Sequence, residues 1–180
     1  MIRFALWMLG GLLLGGIVHL ATVLLLPRLA TQDAYARVST VTPINTVTPL
    51  SPPTPEKAVM PFMDPAFAVS VCRYDLARGP LKFSVPISPA YTSVSFYSRS
   101  DVAYYAINDR AAGRRVIELD LMTARQREEL PSNEEITAAD RLIVTSPTIT
   151  GLILIRALVA EPGLISAAQR ALAAARCVPQ

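Results

Sequence analysis

Residues 4–26, FALWMLGGLLLGGIVHLATVLLL, contain no Asp, Glu, Lys or Arg. A helix of this length is apolar on every side and rises about 35 Å. That is enough to cross a hydrocarbon core of about 30 Å. Three readings compete. A cleaved signal peptide has a shorter apolar core, and the only small-x-small triplet near it, Ala34-Tyr35-Ala36, lies beyond Pro27 and Arg28. A buried core helix needs a larger protein around it. A retained anchor spanning a bilayer fits best. Trp7, Gly11, Gly15 and His19 recur every four residues and share one face, where small residues let a second helix approach closely.

The pattern changes at residue 38. Seven prolines fall between Pro43 and Pro65. Each fixes its own φ and biases its predecessor toward extended backbone, so residues 29–65 read as a Pro-rich stalk or a strap along the domain. Pro61-Phe62-Met63 offers the alternative of packing on the core.

From Ala66 the period becomes two. Ala68–Tyr74 and Leu81–Ile87 are short β-rich runs. Thr92–Arg99 places Val94 and Phe96 on one face and Ser93, Ser95, Tyr97 and Arg99 on the other. Ser100-Asp101 turns the chain into Val102–Asn108. Arg115–Leu121 sets Ile117, Leu119 and Leu121 opposite Glu118 and Asp120. Thr123-x-x-Gln126 is a capping box opening a short helix that Leu130-Pro131 stops. Arg141–Thr145 and Gly151–Val159 are further strands, the second apolar on both faces apart from Arg156 and therefore central in its sheet. Pro162 opens a last helix through Arg176 with a stripe of Leu164, Ile165, Ala168, Leu172 and Ala175. The fold class is mainly β: an antiparallel, jelly-roll-like β-sandwich with a C-terminal helix over residues 66–180, preceded by one transmembrane helix in residues 1–28.

Composition adds limits. The chain of 180 residues carries 17 basic and 14 acidic residues, a net charge of +3, with the basic residues scattered. That gives no case for a nucleic-acid partner. The two cysteines, Cys72 and Cys177, read as a disulfide, which supports export of the domain that follows the single-pass anchor.

Chemistry is sparse. His19, the only His, sits in the apolar segment, so the remaining residues offer no Ser-His-Asp triad and no His-ligated metal. No cofactor motif is present. Tyr97 and Arg99, with Tyr105, Asn108, Asp109 and Arg110, could line a polar ligand site. Arg156 is expected to pair with Asp75 or Asp109, since an unpaired buried charge is costly. Asp64, Asp75, Asp101, Asp109, Glu118 and Asp120 are the carboxylates available for a glycosidase-like pair.

Pro61-Phe62-Met63-Asp64-Pro65-Ala66-Phe67, Val71-Cys72-Arg73-Tyr74-Asp75-Leu76, Ser93-Val94-Ser95-Phe96-Tyr97, Ile107-Asn108-Asp109-Arg110 and the ending around Cys177 resemble a family of short membrane-anchored alphaproteobacterial proteins, domain of unknown function 1254. The resemblance implies an envelope protein with a β-rich exported domain. It also implies a membrane or periplasmic partner, such as a protein of domain of unknown function 1214, and supplies no catalytic residue. The expectation is a binding protein for an envelope component or partner. An enzyme acting on envelope polysaccharide or lipid through paired carboxylates is the alternative.

Overall fold

The computed structural model describes residues 1–29, 33–54, 56–113, 115–130 and 142–180. The chain divides into two compact units, Met1–Gln32 and Asp33–Gln180. The first holds helix α1, Ile2–Leu29. It is long and apolar enough to cross a membrane, a test that signal sequences also pass. Around Gly11 and Gly15 a Cβ would meet no other atom, so this face is open.

The second unit is a β-sandwich. In chain order its elements are α2 (Ala34–Ser39), β1 (Val47–Pro49), β2 (Phe67–Asp75), β3 (Leu81–Pro86), β4 (Thr92–Ser98), β5 (Ala103–Asn108), α3 (Asp109–Ala112), β6 (Val116–Thr123), α4 (Ala124–Glu128), β7 (Leu142–Ser146), β8 (Thr150–Leu158), a 3₁₀ turn (Pro162–Leu164), α5 (Ile165–Ala173) and β9 (Arg176–Pro179). One sheet runs β1-β2-β8-β4-β5 and the other β7-β6-β3-β9. The first is antiparallel throughout. In the second, β6 and β7 are parallel, a departure from the antiparallel pattern expected. A parallel pair needs a crossover of about a dozen residues or more, and α4 with the segment after it supplies the length.

Alternation decides which side chains meet between the sheets. On β3, Leu81, Phe83 and Val85 are buried while Lys82 and Ser84 turn outward. On β6, Ile117, Leu119 and Leu121 do the same. Phe83 from one sheet meets Phe96 from the other edge to face, with centroids 6.0 Å apart and planes at 80°. Each such buried ring contributes about 1.5–3 kcal/mol. Strand β8 is central, as its two apolar faces require. Ile153 and Ile155 join the core between the sheets, while Leu152 and Leu154 face away from it.

The capping box forms. Thr123 Oγ1 accepts from the Gln126 amide and Gln126 Oε1 accepts from the Thr123 amide. Gln126 Nε2 then donates to the Leu76 carbonyl at 2.8 Å, which ties α4 to the end of β2. Pro131 and Arg141, read as a helix stop and a strand start, lie outside the described residues.

The last helix ends earlier than its apolar stripe suggests. After Ala173 the chain turns into β9, which pairs with β3. Cys177 therefore sits on a strand opposite Phe83, not on a helix end, and its disulfide to Cys72 crosses from one sheet to the other.

The Pro-rich stretch lies along the domain. Val38 of α2 is fully buried and packs with Leu50, Val69, Val71 and Leu152 on the outer face of the five-stranded sheet. Strand β1 pairs with β2 at its edge, the place where a strand tolerates Pro49. Met63 joins this outer cluster, whereas Phe62, at φ +59°, is fully exposed.

Candidate functional site

The residues expected to line one polar site are divided between the two faces of the sheet by strand alternation, and a β-bulge then redirects Tyr104. Strands β4 and β5 pair in register from Ser93–Asn108 to Phe96–Tyr105. The register then shifts, and Tyr97 pairs with Ala103. Tyr104 is the extra residue. Tyr97 faces outward and packs against the strap cluster. Tyr105 packs inward, with its ring 5.8 Å from Phe96. Tyr104 also goes inward, where its hydroxyl donates to the buried Tyr74 hydroxyl at 3.1 Å, and burial pushes its pKa up. Tyr97 and Tyr105 therefore do not share a surface.

The other members have local tasks. Asn108 Oδ1 accepts from the Ala111 amide and caps the single turn of α3, which begins at Asp109 and exposes Arg110. Arg99 pairs with Asp33 at 2.9 Å, and its guanidinium lies 4.1 Å from the Tyr35 ring centroid. Asp33 caps α2 through the Ala36 amide. Asp101, in the left-handed conformation at φ +59°, accepts from the Ala34 amide at 3.0 Å. The β4–β5 turn thus grips the first turn of α2.

The two carboxylates of this grip titrate in opposite directions. Burial raises the pKa of Asp33, but the Ala36 amide and the Arg99 hydrogen bond and charge outweigh it and leave the group below its ordinary value. Burial and the neighbouring Asp33 charge raise Asp101, over the opposing Ala34 hydrogen bond. Asp33 therefore contributes stability above the ordinary carboxyl pKa of 3.8 that is lost on acidification. Asp101 contributes stability at low pH that is lost as pH rises through its folded value. Asp101→Asn keeps an acceptor for Ala34. It should gain stability relative to wild type as pH rises from 4 to 7, measured by urea unfolding at several pH values. A parallel pair of pH profiles would contradict this.

The acids proposed as a catalytic pair are engaged separately. Asp64 and Asp75 accept from the amides two residues on, Glu118 pairs with Lys82, and Asp120 accepts from Gln180. Neither ion pair expected for Arg156 forms. Asp109 keeps a buried oxygen without a partner, and so does the Nε of Arg156. The contact Arg156 makes instead is with the Phe67 ring, 5.8 Å from the guanidinium carbon.

Phe67 also lines a cavity of about 200 Å³. The ladder of β1 with β2 ends at Pro49, and after a last hydrogen bond from the Leu50 amide to the Val69 carbonyl at 2.9 Å the strap leaves Phe67 and Ala68 without a strand partner on that side. The strap at Pro49–Pro53 passes over the gap and α5 closes it with Ile165, Gln169 and Leu172. Among the lining side chains, Gln169 and Ser51 are the polar ones, so the walls suit an apolar guest. Sequence reading found the proline run and the helix stripe but not the space between them. Among the described residues no cluster of His, Cys, Asp or Glu could hold a metal ion.

Residues 44–179, the sandwich with its strap and last helix, match the family described as protein of unknown function DUF1254. The chain belongs to this family. No curated protein matches it. The DUF1254 chain is similar in fold to the crystal structure of the VPA0106 protein of Vibrio parahaemolyticus, with a TM-score of 0.59 at 13% identity over 81% of this chain and 33% of that one. An uncharacterized protein of Burkholderia cenocepacia aligns at a TM-score of 0.46 and 14% identity, over 66% of this chain and 33% of that one. The chain spans about one third of the length of either structure.

Proposed function

We propose that this chain is a non-enzymatic binding protein of the bacterial envelope. In this reading residues 4–26 remain as a single-pass inner-membrane anchor, the sandwich lies in the periplasm, and its cavity takes the apolar part of an envelope component. The observation that carries the reading is the cavity between strap and α5. It is small beside the roughly 300–1,000 Å³ of sites that enclose a whole drug-sized ligand. It therefore suits a segment of chain, not an entire lipid. The disulfide supports an oxidising compartment. The open face with Trp7, Gly11, Gly15 and His19 offers a second contact, to a helix of a membrane partner such as a protein of the related family 1214.

One purification tests both contacts. The full-length protein, taken from its own membrane in a mild neutral detergent, should carry a bound amphiphile detectable by mass spectrometry, together with a membrane protein. Ala173→Trp, which places a large ring at the exposed rim of the cavity, should reduce the bound amphiphile several-fold and leave the protein partner in place. Gly11→Leu with Gly15→Leu should do the reverse. An amphiphile yield unchanged by Ala173→Trp would remove the cavity from the reading.

A further inference from the structure

The cavity has a charged neighbour, Arg156, whose guanidinium lies against a ring of the cavity wall. Antiparallel pairing sets Val69, Arg156, Ser93 and Asn108 in one row across the outer face of the five-stranded sheet, because residues directly opposite one another point to the same side. Val69 and Phe67 line the cavity. Arg156 is the cross-strand partner of Val69, and its guanidinium carbon lies 5.8 Å from the Phe67 ring centroid. Cavity and guanidinium therefore share two residues. Beyond Arg156, Ser93 is only 6% exposed, and its hydroxyl makes no hydrogen bond. Arg156 Nε is buried in the same condition, and the guanidinium makes no ion pair among the described residues.

A buried donor left without an acceptor is unfavourable, and the half-buried Arg156 keeps its Nε in that condition. A structural arginine would have an acid beside it. A structural serine on a strand would turn its hydroxyl to a backbone carbonyl or to water. Here the Nε of a half-buried guanidinium and a buried hydroxyl lie side by side without hydrogen-bond partners, next to an apolar pocket. An oxyanion supplies what both lack, since it accepts from each, and guanidinium groups bind carboxylate and phosphate through paired N–H donors.

We propose that Arg156 and Ser93 form an oxyanion subsite at the edge of the apolar cavity, so that the ligand is a single-chain amphiphile with an acidic headgroup. This rests on the cavity being a binding site. The chain enters between strap and α5, and the headgroup lies over the Val69–Arg156–Ser93 row. The shared headgroup chemistry is a carboxylate or a phosphate monoester, and a neutral alcohol of the same chain length is the discriminating analogue.

The test uses the full-length protein in lipid nanodiscs loaded with a diazirine-bearing C16 probe, as carboxylic acid, phosphate monoester or alcohol. After photolysis, label on peptides from residues 49–73 and 163–175 is quantified by mass spectrometry. The acid, the phosphate or both should label these peptides roughly tenfold above the alcohol, the scale of one charge-assisted hydrogen-bonded pair. Whichever headgroup labels more identifies the source. Arg156→Gln should bring the anionic probes down to the level of the alcohol, Arg156→Lys should retain part of the preference, and Ser93→Ala should reduce it. Equal labelling by all three probes, or an unchanged preference in Arg156→Gln with an unaltered melting temperature, overturns the subsite and leaves the cavity as a binding site. Absence of label from these peptides with every probe overturns both.

Discussion

Replacing Cys72 and Cys177 together by Ala should lower the unfolding free energy by about 4–5 kcal/mol, the largest loss expected from any change outside the aromatic core. The two residues are 105 positions apart, with Cα atoms 6.5 Å apart, and both side chains are buried. In the chain-entropy model a closed loop of this length removes most of that amount from the unfolded ensemble. The position adds to the effect. Cys72 lies on β2 of one sheet, and Cys177 on β9, the edge strand of the other. Strand β9 has four residues, is paired on one side only and follows α5 directly. Without the bridge, β9 and α5 can leave the sandwich together. α5 also walls the cavity, so the same change should weaken amphiphile binding as well as stability. Urea unfolding of the sandwich with and without reductant, compared with the double Ala variant, measures the term. A loss below 1 kcal/mol under both conditions would show that β9 is held by pairing with β3 alone.

Several elements were legible because their signal is local. Ile117, Leu119 and Leu121 alternate with Glu118 and Asp120, and the strand lies where that alternation puts it. Thr123 and Gln126 close a capping box in three residues. The run from Gly151 to Val159 is apolar on both faces, which only a central strand covered on both sides can satisfy. The parts that escaped depend on partners distant in sequence. Val47–Pro49 and Arg176–Pro179 are too short to alternate and exist because β2 and β3 present open edges to them. Tyr105 lies opposite Phe96, so simple alternation already puts it on the other face from Tyr97, and the bulge after Phe96 then turns Tyr104, which a regular hairpin would set beside Tyr97, into the core. Proline content foretold an extended strap but not the outer sheet face on which Val38 and Leu50 lie. Arg156 stands out in the sequence as the exception within its strand, but its surroundings are set by the fold, and neither Asp75 nor Asp109 reaches it.

Gly151→Ala should cost about 3–5 kcal/mol although it adds one methyl group. Gly151 lies in the middle of the five-stranded sheet, paired with Tyr74 on β2 and Ser98 on β4. A Cβ there would collide with the Tyr97 carbonyl oxygen and with the hydroxyl and ring of Tyr74, all closer than real Cβ contacts come. Nothing nearby can yield cheaply. The carbonyl belongs to the backbone of a paired strand. Tyr74 is fully buried, and its hydroxyl is bound to Ser146 at 2.9 Å, to the Tyr97 carbonyl at 3.2 Å and to the Tyr104 hydroxyl. Overpacking costs about 1–3 kcal/mol, and each displaced hydrogen bond adds about 1 kcal/mol. The opposing gain, from the smaller unfolded-state entropy of Ala, is about 0.4–1 kcal/mol, so steric cost decides the sign. A second variant tests the assignment. Tyr74→Phe removes the hydroxyl that the new methyl group would strike, so in the Gly151→Ala background it should cost less than in wild type. The double-variant cycle should then show a coupling of about 1 kcal/mol or more, as expected for residues in direct contact. Strictly additive losses would mean that the strain lies in the backbone of Tyr97 and that β8 itself has moved.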